Sequence, residues 1–148
     1  MLRSILQRSV CFVGLLVVSL ASYAEQFVTY DNYEIHYNAF NSTFITPDVA
    51  KATGFSRSKR KALVNVSVLK VEGDKRTPVG AFVTGEVSSL IQTKQDLRFK
   101  KIDEGDAIYY LSDFGFTDDQ VLRFEIQVQP DPNTPAYGIQ FEQRFYAD

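Results

Sequence analysis

Leu122-Arg123-Phe124-Glu125-Ile126-Gln127-Val128-Gln129 sets an apolar residue against a polar one at every step. Side chains of a pleated strand point alternately to its two faces, so this stretch carries its apolar groups on one side only. One face belongs on a core and the other in water, which is the pattern of an antiparallel sheet covered on one side.

The same period runs through most of the chain. Val64, Val66 and Val68 alternate with Asn65 and Ser67. Val79, Ala81, Val83, Val87 and Ile91 alternate with Thr84, Glu86 and Ser88, and Tyr137, Ile139, Phe141 and Phe145 with Gln140, Glu142 and Arg144. Shorter strands are expected over Gln26–Tyr30, Tyr33–Phe40, Leu97–Ile102 and Ala107–Leu111. The connections have turn chemistry: Asp31-Asn32, Glu72-Gly73-Asp74-Lys75, Asp103-Glu104-Gly105-Asp106 and the stiff Pro130–Pro135 loop. Gly80 and Gly85, inside one long alternating run, point to a bend or bulge.

One segment reads as helical. Thr46 suits an N-cap, Pro47 the first helical position, Asp48 the positive end of the dipole, and Gly54 the terminus. The expected fold is therefore all-β, a single antiparallel sandwich (immunoglobulin-like) of seven to eight strands over residues 25–148 with one short helical turn. An eight-stranded outer-membrane barrel is the architectural alternative. Against it stand the helical interruption, strands too short to cross a bilayer, and a charged carboxyl end, Phe145-Tyr146-Ala147-Asp148.

Residues 1–24 have the order of a secretory signal. Arg3 and Arg8 precede the apolar stretch Val10–Leu20, and Ser22-Tyr23-Ala24 offers small residues at the cut. The apolar stretch is about half the roughly 20 residues that a membrane span needs. Cleavage after Ala24 leaves Glu25 as the amino terminus and removes Cys11, the one cysteine. It also removes Arg3 and Arg8, two of the 16 basic residues, so 14 remain against 18 acidic ones and the net charge becomes −4. No stable membrane span is expected after the cut, and the mature domain must be stable without disulfides.

That balance gives no dense basic face for nucleic acid. A single basic run stands out, Arg57-Ser58-Lys59-Arg60-Lys61. It reads either as a solvated connection entering a strand or as a patch for an anionic ligand or headgroup. His36 is the only histidine, so no zinc or copper ligand set is available and no cofactor or metal is expected. The acidic groups at Asp103-Glu104-Gly105-Asp106 and at Asp113, Asp118 and Asp119 lack the spacing of a calcium loop. A serine hydrolase would need His36 as its base, and no Gly-x-Ser-x-Gly elbow accompanies any serine. The discriminating observation is a pocket that unites His36 with a serine and a carboxylate. Tyr30, Tyr33, Tyr37, Phe40 and Phe44 crowd the amino-terminal third and must divide between the core and a recognition surface.

From Asn41-Ser42-Thr43-Phe44-Ile45-Thr46-Pro47-Asp48-Val49-Ala50-Lys51-Ala52, through Gly54, Arg57-Ser58 and Leu63–Leu69, the chain resembles a known family. The likeness returns at Glu104–Tyr110 and at Phe145-Tyr146-Ala147-Asp148. The family is a domain of unknown function found in small exported proteins of gammaproteobacteria. The resemblance implies a bacterial periplasmic setting and brings with it no activity, cofactor or functional residue.

The sequence thus points to a periplasmic, non-catalytic binding or accessory module of the cell envelope, whose partner is an envelope protein or ligand. A small hydrolase with a site assembled from distant strands is the other functional reading. The candidate binding surface is Asn41, Ser42, Thr43, Arg57 and Ser58, on the excursion between two strands. The competing expectation is that Ser42, Thr43 and Thr46 only cap the helical turn.

Overall fold

The stretch that opens the sequence argument is the middle of a sheet. In the computed structural model, which describes residues 26–147, Gln120–Gln129 forms a strand flanked on both sides. Leu122, Phe124, Ile126 and Val128 are buried and the polar residues between them are exposed.

In chain order the strands are β1 (Gln26–Tyr30), β2 (Tyr33–Asn41), β3 (Lys61–Glu72), β4 (Lys75–Pro78), β5 (Phe82–Ser89), β6 (Lys94–Leu97), β7 (Lys100–Asp103), β8 (Ile108–Gly115), β9 (Gln120–Gln129) and β10 (Tyr137–Phe145). Between β2 and β3 lie a 3-10 turn (Ser42–Phe44) and a helix, α1 (Pro47–Thr53). The first sheet runs β1-β2-β3-β8-β7, with β4 also paired to β3; the second runs β10-β9-β5-β6. Every pairing is antiparallel.

The two sheets form a sandwich, and neither closes on itself, which overturns the membrane-barrel alternative. No helix of the described residues is long and apolar enough to cross a membrane. Ile35, Val64, Val66 and Val68 from the first sheet face Val87, Phe124, Ile126 and Val128 from the second. Aromatic pairs bridge the layers: Phe114 meets Phe124 edge-on at 5.1 Å, and Tyr37 lies 4.8 Å from Phe141. Such rings bury large areas and fix the spacing of the sheets.

The described residues form ten strands where seven to eight are expected, for two physical reasons. Lys75-Arg76-Thr77-Pro78 has no apolar alternation, because β4 is a short edge strand ending in proline. The expected strand Leu97–Ile102 is two half-strands in different sheets: the chain leaves β6 after Leu97 and enters β7 at Lys100. Arg98 N–H, in the crossing, donates to Ser112 Oγ at 2.9 Å. The run Val79–Ile91 is likewise interrupted, since β4 ends at Pro78 and β5 starts at Phe82. Gly80 marks that crossing. Gly85 makes no bulge, since the β5–β9 register runs past it unbroken; it lets β9 come close, because a Cβ there would sit 2.8 Å from the Glu125 carbonyl oxygen.

The helical segment forms as its residues dictate. Thr46 Oγ1 accepts the Val49 N–H at 3.2 Å, Pro47 opens α1, and Gly54 ends it at φ 80°. No residue of α1 is buried. Leu63, on β3 just after the excursion, stands outside the core cluster yet is fully buried. Lys100 of β7 ties the excursion to the first sheet by donating to the Thr53 carbonyl and standing 5.0 Å from the centre of the Phe55 ring.

The signal-peptide reading falls on residues 1–24, with Cys11, and lies outside the described residues.

Candidate functional site

The five candidate residues come together at one end of the sandwich, in two different roles. Ser42 is completely buried. Its Oγ donates to the Ser58 carbonyl and accepts the Ser58 N–H, each at 2.8 Å. Arg57 Nη2 donates to the Thr43 carbonyl at 3.2 Å. Ser42, Thr43, Arg57 and Ser58 therefore stitch the basic run to the 3-10 turn. The capping expectation holds for Thr46 and not for Ser42, whose hydroxyl bridges two distant segments instead.

Asn41 lies at the wall of a groove. The groove has a volume of about 890 Å³ and is lined by Ala39, Phe40, Asn41, Phe44, Gln143, Arg144, Phe145 and Tyr146. Among the described residues β1 starts at Gln26, opposite Tyr37, and the groove lies beyond that point along β2. The other wall is the end of β10, an edge strand of the second sheet. Phe44 is 73% exposed and Tyr146 53% exposed, so two aromatic rings flank the opening. Large exposed aromatics beside a concave apolar surface are the usual mark of a binding site.

The groove's polar groups are already engaged with one another. Asn41 Nδ2 donates to the Tyr146 carbonyl at 2.7 Å, and Gln143 Nε2 to the Ala39 carbonyl at 2.9 Å. Arg144 Nη1 donates to Asp119 Oδ1 at 2.6 Å; that bond, together with the carboxylate's charge, holds the guanidinium above its ordinary pKa.

A second, smaller depression of about 190 Å³ lies on the outer face of the first sheet and brings His36, Ser67 and Asp106 to one place. This is the combination that a hydrolase reading requires. His36 Nε2–H donates to Glu34 Oε1 at 2.6 Å, and Arg76 Nε donates to Glu34 Oε2 at 3.1 Å. Burial pushes the Glu34 pKa up, but these two hydrogen bonds and the charge of Arg76 outweigh it and leave it below the ordinary value. The His36 ring also stacks on Phe27, with centroids 5.1 Å apart. Ser67 sits directly across the ladder from His36, in the regular middle of β3 and not on a sharp strand-to-helix turn. The geometry is that of an ion-paired patch on a flat sheet face, without a nucleophile elbow.

Three of the remaining acidic candidates have structural partners. Asp113 pairs with Lys61 at 3.5 Å, Asp118 accepts the Ala147 N–H at 2.9 Å, and Asp103 accepts the Gly105 N–H at 2.9 Å within its own turn.

Known structures share the fold of this two-sheet antiparallel sandwich. The chain belongs to the DUF4426 family, a domain of unknown function, whose model matches residues 27–148. A DUF4426 family protein from Pseudomonas aeruginosa is 35% identical and superimposes with a TM-score of 0.72, over 84% of this chain and 96% of that one. FetP of uropathogenic Escherichia coli strain F11 has a similar fold at much lower identity. A copper-bound FetP variant is 14% identical with a TM-score of 0.58, over 84% of this chain and 96% of that one. FetP recombinantly expressed in the periplasm of E. coli is 13% identical with a TM-score of 0.58, over 82% and 93%. No match was found among curated proteins.

Proposed function

We propose that this domain is a periplasmic, non-catalytic binding module of the cell envelope that takes a hydrocarbon chain into the groove between β2 and β10. The observation that carries this reading is the lining: exposed Phe44 and Tyr146 flank an apolar groove whose backbone carbonyls at Ala39 and Tyr146 are already hydrogen-bonded by side-chain amides. A peptide strand adding to the β2 edge would look for such carbonyls. A hydrocarbon chain needs none.

Export is part of the proposal. Cleavage after Ala24 would leave Glu25 one residue before the start of β1, so the whole described sandwich is kept. FetP, a protein of similar fold, has been expressed recombinantly in the periplasm of E. coli, which is consistent with that route.

Copper, which a FetP variant holds, does not fit the donors of this chain. His36 is the only histidine, and its carboxylate neighbour is shared with Arg76. Among the described residues, no three His, Cys, Asp or Glu side chains converge. Copper sites draw on several imidazole or sulfur ligands.

The test is binding of the neutral fluorophore N-phenyl-1-naphthylamine to the mature domain. Wild type is expected to enhance its fluorescence saturably, and the Phe44→Ala/Tyr146→Ala double variant to weaken binding by roughly tenfold or more, the loss of two aromatic contacts. Equal binding by the two proteins would remove the groove from consideration.

A further inference from the structure

The basic run and the groove share one support. Ser42 bonds both the N–H and the carbonyl of Ser58, and Arg57 reaches the Thr43 carbonyl, so the run is fastened to the turn whose last residue, Phe44, lines the groove. Arg57, Lys59 and Arg60 are exposed. Among the described residues none of them has a carboxylate within 4.0 Å, whereas Lys61, Arg76, Arg123 and Arg144 each do. The Arg57 guanidinium is held at the turn that lines the groove, and Lys59 and Arg60 follow it in the chain, three cations close together in a mature chain that carries 14 basic residues against 18 acidic ones.

Resting on the reading of the groove just given, we infer that its guest is an anionic single-chain amphiphile, namely a lysophospholipid with an anionic head group. Its acyl chain lies along Phe40, Phe44 and Tyr146, and its phosphate meets Arg57, Lys59 and Arg60. Guanidinium and ammonium groups that lack a carboxylate are available for a phosphate. An acidic apolar peptide offers similar charge but would compete for acceptors that are already in use, since the Ala39 and Tyr146 carbonyls take side-chain hydrogen bonds.

The experiment is displacement of N-phenyl-1-naphthylamine from the mature domain by lysophosphatidylglycerol and by lysophosphatidylcholine of the same chain length, both below their micellar concentrations. The anionic lipid is expected to bind roughly tenfold more tightly at low salt, as three exposed charge contacts allow. The preference should shrink at about 0.5 M salt, where the screening length falls to roughly 4 Å. Lys59→Gln/Arg60→Gln should lower the preference severalfold and leave binding of the neutral N-phenyl-1-naphthylamine unchanged; Arg57 is kept, because its guanidinium holds the Thr43 carbonyl. Should the double variant not fold, Lys59→Gln serves alone, because Lys59 makes no hydrogen bond among the described residues and is expected to lower the preference without altering the melting temperature. Equal affinities for the two lipids, a preference that survives the substitutions, or displacement only by an acidic apolar peptide would each overturn the inference and leave the groove in place. Lipid binding untouched by Phe44→Ala/Tyr146→Ala would instead sink the groove itself.

Discussion

Ser42→Ala is a deletion of one oxygen with consequences out of proportion to its size. The Ser42 hydroxyl is fully buried and makes two hydrogen bonds to the backbone of Ser58, both at 2.8 Å. The Ser58 carbonyl keeps a second donor, Lys61 N–H at 3.2 Å, but the Ser58 N–H loses its partner in a half-buried place. Two hydrogen bonds are worth about 1 kcal/mol each, and a stranded donor adds a further share, so a loss of about 2–3 kcal/mol is expected. For a domain of this length that corresponds to a drop of roughly 6–10 °C in melting temperature. Urea unfolding gives the free energy, and amide exchange locates it: the Ser58 amide should exchange on the order of 30-fold faster. Thr43→Ala is the matched control, since the Thr43 side chain makes no hydrogen bond among the described residues, and it should change stability by less than about 0.5 kcal/mol. If Ser42→Ala costs no more than Thr43→Ala, the basic run is not fastened to the groove in the manner described.

Three other expectations follow from the packing and the charges. Gly85→Ala puts a Cβ 2.8 Å from a backbone oxygen and 3.2 Å from Ile126 Cγ1, so β5 and β9 must part; a loss of about 1–3 kcal/mol by urea unfolding is expected, and a neutral result would show that the strands yield freely. Glu34 has its folded-state pKa below the ordinary 4.5, so its contribution to stability is complete above that pH and is lost as the pH falls through the folded value. Glu34→Gln should therefore flatten the decline of stability below pH 4.5, and an unchanged acid limb would mean that the His36–Glu34–Arg76 network adds nothing. The Tyr137 hydroxyl donates to Asp31 at 2.6 Å, and that bond, first among the causes, pushes its pKa up to about 12 from 10. Its contribution to stability is present below pH 10 and is lost as the pH rises through 12; ultraviolet titration should find one late tyrosine that Asp31→Asn returns towards 10.

The sandwich was legible wherever a strand buries one face. Leu122–Gln129 and Tyr137–Phe145 alternate because one side of each packs on the core, and both emerge as strands. Alternation has no way to register a change of sheet. Leu97 closes β6 in one layer and Ile102 lies in β7 of the other, yet the sequence between them reads as a single strand. β4 was invisible for the opposite reason: Lys75-Arg76-Thr77-Pro78 is an edge with little to bury. Helix α1 was legible to the residue at its cap because capping is local chemistry between Thr46 and Val49.

The candidate site was legible in part. Asn41, Ser42, Thr43, Arg57 and Ser58 do meet at one end of the fold, but four of them meet as mutual hydrogen-bond partners. The groove beside them takes half its wall from Gln143–Tyr146, more than 100 residues away, as the Asn41–Tyr146 bond spans 105 positions. No local pattern carries that information. A trace of it was present all the same: Phe44 and Tyr146 are aromatic residues next to chain segments of turn-like, polar character, where a core has no use for them. The pairing of His36 with Ser67 and Asp106 was equally hidden, since it depends on the register of β2 against β3 and on the β7–β8 turn.

The central claim is that the groove between the ends of β2 and β10 is the binding surface of this domain. Amide shift mapping of the isotope-labelled mature protein, titrated with lysophosphatidylglycerol, tests it most directly. Saturable shifts are expected at Ala39–Phe44 and Gln143–Tyr146, with a second set over Arg57–Arg60. Shifts centred on His36, Ser67 and Asp106, or none at all under saturating lipid, would contradict it.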